Sequence, residues 1–261
     1  MSGEVQALFM VGAAGGEPPV TVCTPDPHYL CTETCGYSYS GTDPHESSVV
    51  LRLCMNGTNG STNIVDSSQY GIVPTVVGSG ALNINHWKFG GASWKGEASS
   101  YFQVVLGSNG SMTGDFTLEY WAGGGTGGTL NAVHMYSTTG GGYIYNNVFQ
   151  GYGGSNLAMG ATTLSAEEWA FFAISRTGST IKAYRNGVLQ GTQTYAGTID
   201  LQTMQWGRFV PNNNLYWNGH IDDVRITKGV GRYPNSCPVP ETKRTVLSIH
   251  ADTDPPVDQS C

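Results

Sequence analysis

Charge is scarce in this chain. Asp, Glu, Lys and Arg make up 12% of its 261 residues, about half the usual share for a soluble protein. Cations are the rarer sign: 12 Lys and Arg stand against 19 Asp and Glu, for a formal net charge of −7. No basic cluster tracks a phosphate backbone, which argues against a nucleic-acid partner. No apolar run reaches the roughly 18 residues of a membrane-crossing helix, which argues against a membrane partner. Familiar catalytic signatures are missing too. There is no H-E-x-x-H among the six histidines, and "GGASWKG" has the wrong spacing for a nucleophile elbow. Sustained helical periodicity is also absent.

What fills the chain instead is Gly (37 residues), Tyr (14), Phe (8) and Trp (6), with Ser, Thr and Asn between them. Aromatic and β-branched runs such as "SVVLRLCM", "YFQVVL", "DFTLEYWA", "YIYNNVF" and "EWAFFAISR" are each closed by Gly, Asn or Ser. They read as short strands separated by turns. In "DFTLEYW", Phe116, Leu118 and Tyr120 share one face, and Thr117, Glu119 and Trp121 the other. In "AYRNGVLQG", Asn186-Gly187 predicts a two-residue hairpin turn with positive φ at both positions. Within "SAEEW", Ser165 and Glu168 predict a capped helical turn. The expected fold class is all-β, an antiparallel two-sheet jelly-roll sandwich.

Three segments follow from composition. Residues 1–47 are rich in Pro, Cys, Thr and Gly and read as an extended docking arm. "VQALFMVGAAGG", 5–16, lacks the basic residues that precede a signal core and is assigned to that arm. Residues 48–235 hold the strands, and 236–261 form a Pro-rich tail with one strand, "RTVLSIHADTD". Cys23, Cys31, Cys35, Cys54, Cys237 and Cys261 are disulfide candidates; their spacing suits no zinc site, and six cysteines allow fifteen pairings. Cys261, at the end of the chain, is a candidate for a bridge to another chain.

"VVLRLCMNGTNGSTNIVDSS", "KFGGAS", "DFTLEYWA", "EEWAFFAISRTGSTIKAYRNGVLQG" and "WNGHIDDVRITKGVGRY" occur in the order of a laminin-G-like, concanavalin A-like jelly-roll domain. The "IDDVRITKGVGRY" ending resembles the form found in structural proteins of tailed bacteriophages. The resemblance implies a non-enzymatic virion protein, assembled in the host cytoplasm and exposed on the particle. Its partners would be capsid, neck or tail proteins and further copies of itself; the alternative is a tail-fibre receptor for a host-surface glycan. The glucanase branch of that superfamily carries an E-x-D-x-x-E strand, which this chain lacks. One departure bears on metal binding: an Asp-Gly-Thr turn of related domains is here Asn56-Gly57-Thr58.

Two sets of site residues are expected. In "HIDDVRIT", period 2 places Asp222 with Val224 and Ile226 toward the core, and Asp223, Arg225 and Thr227 on the solvated side. A buried carboxylate needs partners. Asp222 therefore accepts backbone N–H groups or pairs with a cation such as Arg52; the resemblance implies a third role, since in several concanavalin A-like relatives the matching Asp helps hold a structural calcium ion, for which Asn59, Asn63 and Asp66 would be the other ligands here. The second set is a glycan-binding loop: Trp206, Asn212, Asn213, Asn214, Tyr216 and Trp217 in "WGRFVPNNNLYWNG", or the Tyr-rich "YIYNNVFQGYGGSN", 143–156. The competing reading of those tryptophans is core packing.

Overall fold

The structure, a computed structural model, describes residues 43–97, 99–125, 133–145, 147–151, 156–210 and 215–233. Cys23, Cys31, Cys35, Cys237, Cys261, residues 1–42 of the arm and the tail 236–261 lie outside the described residues. Cys54 is buried, its sulphur 3.8 Å from Ser67 Oγ.

In chain order the strands are β1 (Val49–Leu53), β2 (Thr75–Val77), β3 (Ala81–Asn83), β4 (Ser93–Lys95), β5 (Tyr101–Val105), β6 (Ser111–Met112), β7 (Phe116–Gly123), β8 (Val133–Ser137), β9 (Tyr143–Tyr145) and β10 (Val148–Gln150). They continue with β11 (Asn156–Ala158), β12 (Trp169–Thr177), β13 (Thr180–Arg185), β14 (Val188–Thr194), β15 (Ile199–Asp200), β16 (Thr203–Trp206), β17 (Arg208–Phe209), β18 (Leu215–Tyr216) and β19 (His220–Lys228). An eight-stranded sheet runs β14-β13-β12-β7-β19-β4-β3, with β1 also on β19, and a seven-stranded sheet runs β11-β10-β9-β8-β16-β5-β2. Every strand pair in both is antiparallel, as expected for a jelly-roll sandwich. The Asn186-Gly187 turn has φ of 48° and 81°, and Asn186 Oδ1 accepts the Phe171 N–H. At "SAEEW" no helical turn forms. Glu167 turns left-handed (φ 66°), while the Glu168 carboxylate still caps the Ser165 N–H.

The core lies between the sheets. Leu118, Tyr120, Phe172, Ile174, Val224 and Ile226 face Phe102, Met135, Ile144, Phe149, Met204 and Trp206. Each such side chain contributes about 1.5–3 kcal/mol by leaving water. One polar chain crosses this core: Tyr120 Oη donates to His134 Nδ1 (2.8 Å), and His134 Nε2–H donates to the Thr162 carbonyl (3.2 Å). That fixes the neutral tautomer.

The other side of the eight-stranded sheet is also closed. Strand register sets three rows across it: Phe171–Trp121–Asp222, Ala173–Glu119–Arg225 and Ser175–Thr117–Thr227. Here the expectation for "HIDDVRIT" holds for Val224 and Ile226, which face the core, and for the outward direction of Arg225 and Thr227, and fails for the direction of Asp222 and for the solvation of the outward side. A β-bulge between Asp222 and Arg225, with Asp223 at φ 45°, inserts one residue and reverses the alternation. Ile221, Val224 and Ile226 point into the core; Asp222, Arg225 and Thr227 point out. Outward does not mean solvated, since Asp222 is 0%, Asp223 5% and Arg225 5% exposed. Asp222 accepts the N–H groups of Lys88 (2.9 Å), Phe89 (3.0 Å) and Asp223 (2.8 Å), so it holds the 84–92 loop rather than β1. Burial drives its pKa well up, and those N–H groups oppose the rise.

Arg225 and Arg52 stand opposite each other across β19 and β1, an arrangement that repels unless acids intervene. They do. Glu119 Oε2 accepts Arg225 Nε at 2.7 Å, Glu46 pairs with Arg52 at 2.6 Å, and Asp43 lies 3.4 Å from Arg225. Arg232 forks onto Asp43 at 2.7 and 3.1 Å, and Tyr233 Oη donates to Glu119 Oε1. Burial alone would raise the Asp43 pKa; Arg232 and Arg225 hold it below its ordinary value.

Removing one partner of such a buried set leaves the other charge uncompensated, at about 3–5 kcal/mol. Glu119→Ala is therefore expected to lower the unfolding free energy from urea denaturation by about 3–5 kcal/mol; a loss under ~1 kcal/mol, the range of an exposed pair, contradicts the network. A second expectation concerns pH. Burial lowers His134 and His220 from 6.5 to about 3. Below pH 6.5 the unfolded chain takes up protons that the folded chain refuses, so their contribution is full above 6.5 and is lost as pH falls toward 3. Burial raises Asp223 from 3.8 to about 7, and its contribution fades in the opposite sense, as pH rises through 7. His134→Gln is expected to cut proton uptake on unfolding at pH 5 by about one, read from the pH slope of stability.

Candidate functional site

The outward face of the seven-stranded sheet differs in kind. Its strands read TVV, YFQVV, VHMYS, YIY, VFQ, NLA and TMQW. None contains Asp, Glu, Lys or Arg. Alternation sends Phe102, Ile144, Phe149, Leu157 and Met204 inward and their neighbours outward. Register then aligns one outward residue from each strand: Thr75–Gln103–Gln205–Tyr136–Tyr143–Gln150–Asn156. With strands about 4.8 Å apart, the row is about 29 Å long.

The row is wired sideways. Gln205 Nε2 donates to Gln103 Oε1, and Gln150 Nε2 to Asn156 Oδ1, each at 3.0 Å. Gln205 is 7% exposed, yet its Oε1 has no hydrogen-bond partner among the described residues. An unpaired buried acceptor costs about 1–3 kcal/mol. Beside the row, the Phe209 ring packs against Tyr145 (4.9 Å), Tyr143 (4.8 Å) and Tyr136 (5.7 Å). Arg208 lies over the Tyr101 ring at 4.8 Å and over Tyr216 at 5.8 Å. Tyr120, Tyr184, Tyr195 and Tyr233 all hydrogen-bond within the protein. Tyr101, Tyr136, Tyr143 and Tyr145 are partly exposed, and their hydroxyls have no protein partner among the described residues. Aromatic faces next to tyrosine hydroxyls and side-chain amides can bind a molecule that is itself part C–H face and part hydroxyl. They offer no acid or base for chemistry.

The loop residues expected from sequence fare differently. Trp206 is 0% exposed, stacked on Phe102 and edge-on to Tyr120, and Trp217 is buried against His134. Neither can stack on a ligand, because core packing claims both indoles. Tyr216 is half-buried under Arg208, and Asn212, Asn213 and Asn214 lie outside the described residues. The Tyr-rich stretch 143–156 does reach the face, through Tyr143, Tyr145, Gln150 and Asn156. Sequence reasoning missed Gln103, Gln205 and Tyr136, because nothing local in the sequence aligns them.

The calcium set does not assemble either. Asp66 accepts the N–H groups of Arg52, Ser68 and Ile72 and the Ser68 hydroxyl. Asp222 accepts three N–H groups of its own and shares no partner with Asp66. Positive N–H ends already face both carboxylates, while Asn59 and Asn63 lie in an exposed turn. These residues do not fit a calcium ion, which needs six to eight oxygens around one point. Among the described residues, no three His, Cys, Asp or Glu side chains converge for a metal.

Core and face separate by substitution. Trp206→Ala is expected to cost about 3–5 kcal/mol in thermal or urea unfolding. Tyr143→Phe should stay within about 0.5 kcal/mol, as for a surface change; the reverse order would contradict the placement.

Among solved structures, the botulinum neurotoxin serotype D binding domain is similar at 19% identity and TM-score 0.51, over 71% of this chain and 49% of that one. The botulinum neurotoxin type C structure described with two ganglioside molecules gives 17% and 0.49, over 70% and 48%. Domain 4 of AbnA, an arabinanase of Geobacillus stearothermophilus in complex with arabinotriose, gives 16% and 0.48, over 70% and 93%. The chain thus spans about half the length of the toxin structures, and at these identities the likeness shows the fold alone. No curated protein matches in sequence. The Laminin_G_3 model, described as the concanavalin A-like lectin/glucanases superfamily, matches residues 95–230. With both sheets of the sandwich in place and more than half its length matched, the chain belongs to the Laminin_G_3 family of the concanavalin A-like lectins and glucanases.

Proposed function

We propose that this domain is a non-catalytic glycan-binding module, displayed on the surface of a tailed-phage virion by its flanking segments. The observation that carries the binding role is the seven-stranded sheet, whose strands hold no charged residue and whose outward tyrosines, with hydroxyls that have no protein partner among the described residues, stand beside a row of side-chain amides. Sugars present hydroxyls that both donate and accept, and C–H faces that pack on aromatic rings. A glycosidase needs two carboxylates about 5–10 Å apart, and no strand of this sheet supplies one. Membership of the concanavalin A-like lectin/glucanase superfamily accords with such a role.

Display is favoured by a separate feature. Asp43 and Arg232, near the two ends of the described body, are clamped together on the outward side of the eight-stranded sheet. The tyrosine row is on the opposite side of the sandwich. Attachment to capsid, neck or tail proteins through one side leaves the other facing solvent. The virion setting rests on the resemblance of "IDDVRITKGVGRY" to phage structural proteins. In this reading, decoration of the particle and adhesion to host glycans are two aspects of one part.

On a glycan array the full chain is expected to bind at least one glycan, with the signal lost in Tyr143→Ala and the thermal midpoint kept. A blank array overturns the binding role. Antibody against residues 48–235 should label particles from the source on capsid, neck or tail by electron microscopy; particles without label overturn the virion setting and leave the binding role standing.

A further inference from the structure

The eight-stranded sheet has one long open edge. β14 closes the path on one side and has only β13 as ladder partner. Its seven residues, VLQGTQT, include no charge and no proline. An exposed edge is a template for pairing, and proteins guard it with lysine, proline or a covering segment. The opposite end of the same sheet is covered: Gly60 N–H donates to the Leu82 carbonyl of β3 and Leu82 N–H to the Ser61 carbonyl, each at 2.8 Å. Among the described residues, no backbone–backbone bond of Val188–Thr194 reaches beyond β13. β11 passes close to Gly191 without bonding to its backbone. Val188 is 62% and Leu189 47% exposed.

The described chain leaves the body beside this edge. The Tyr233 ring packs against Tyr184 of β13 (6.1 Å), and the Tyr233 carbonyl accepts the Tyr184 hydroxyl at 3.3 Å. Tyr184 in turn stands opposite Leu189 in β14. Beyond Tyr233, residues 245–251 read TVLSIHA, a run as long as β14 and likewise free of charge and proline. We infer that this run, from the same chain, adds to the open edge of β14 as the sheet's next strand. Alternation sets Leu247, Ile249 and Ala251 on one face; that face supplies apolar neighbours for Val188 and Leu189, while main-chain bonds satisfy the β14 groups that point away from β13. Reach is ample. From Tyr233 to residue 245 the backbone can span about 40 Å, whereas the new strand would lie about 10 Å, two strand spacings, from β13. Such a tether keeps the run at an effective concentration on the order of millimolar, which favours it over the same run from another copy.

The test is hydrogen exchange of the full chain, resolved residue by residue, for the wild type and for Leu247→Pro, which removes a donor from the run and leaves the body untouched. In the wild type, the β14 amides that point away from β13 should be protected, and equally so at low and high protein concentration. Leu247→Pro should speed their exchange about tenfold or more, with the amides of β12 unchanged as the sign that the body stays folded. Unprotected β14 amides in the wild type, or protection that Leu247→Pro leaves intact, overturn the inference. Protection that fades on dilution overturns it too, by assigning the edge to a second copy. The glycan-binding reading concerns the other sheet and stands or falls separately.

Discussion

The outward side of the eight-stranded sheet depends on the contact between Glu119 and Arg225. These two neighbours on β7 and β19 are taken out of water as a pair, 2.7 Å apart. Once they are there, everything around them has to be polar and enclosed. Asp43 and Arg232 close over them, Tyr233 reaches Glu119, and Arg52 is balanced by Glu46. A buried set of charges is a weak source of net stability, because desolvation offsets most of the attraction. Its effect is on uniqueness: few other registers of β19 place an acid against each arginine. The bulge at Asp223 belongs to the same constraint, since it brings Asp222 beneath the Lys88 and Phe89 N–H groups while Val224 returns to the core.

With that side closed by ions and loops, exposed surface suited to recognition falls to the other sheet. There the physics is reversed. Its strands carry no carboxylate, lysine or arginine, so it holds no electrostatic pattern that a partner could disturb. The hydroxyls of its outward Tyr101, Tyr136, Tyr143 and Tyr145 have no protein partner among the described residues. The scarcity of charge in the whole sequence is thus uneven: Asp43, Glu46, Arg52, Glu119, Arg225 and Arg232 gather on the outward side of the eight-stranded sheet, and the strands of the seven-stranded sheet hold none, with Arg208 beside them. A family fold hosts many functions; the partition between a clamped side and an unsatisfied side is particular to these residues.

Much of the fold could be read from the sequence, because its signals are local. Asn186-Gly187 dictates its turn whatever surrounds it, and alternation in "DFTLEYW" sorts Phe116, Leu118 and Tyr120 from Thr117, Glu119 and Trp121. Asp222, Asp223 and Arg225 could not be placed, since a bulge breaks period 2 without changing composition and a second layer buries residues that alternation assigns to solvent. The candidate site was legible in part. The stretch 143–156 is marked by its tyrosines, but Trp206 and Trp217 pack in the core, and Gln103 and Gln205 carry no local signal. The row exists only through register among seven strands spread over residues 75–205, and no short window of sequence carries that information.

Hydroxyl-radical footprinting of the full chain, with and without a glycan identified on an array, addresses the central claim most directly, because it reports side chain by side chain. Protection of Tyr136, Tyr143, Tyr145 and Tyr101, with Trp87 and Tyr70 unchanged on exposed parts elsewhere, is the result this account requires. Protection of Trp87 or Tyr70 in place of the four tyrosines would put the glycan on another surface and contradict it.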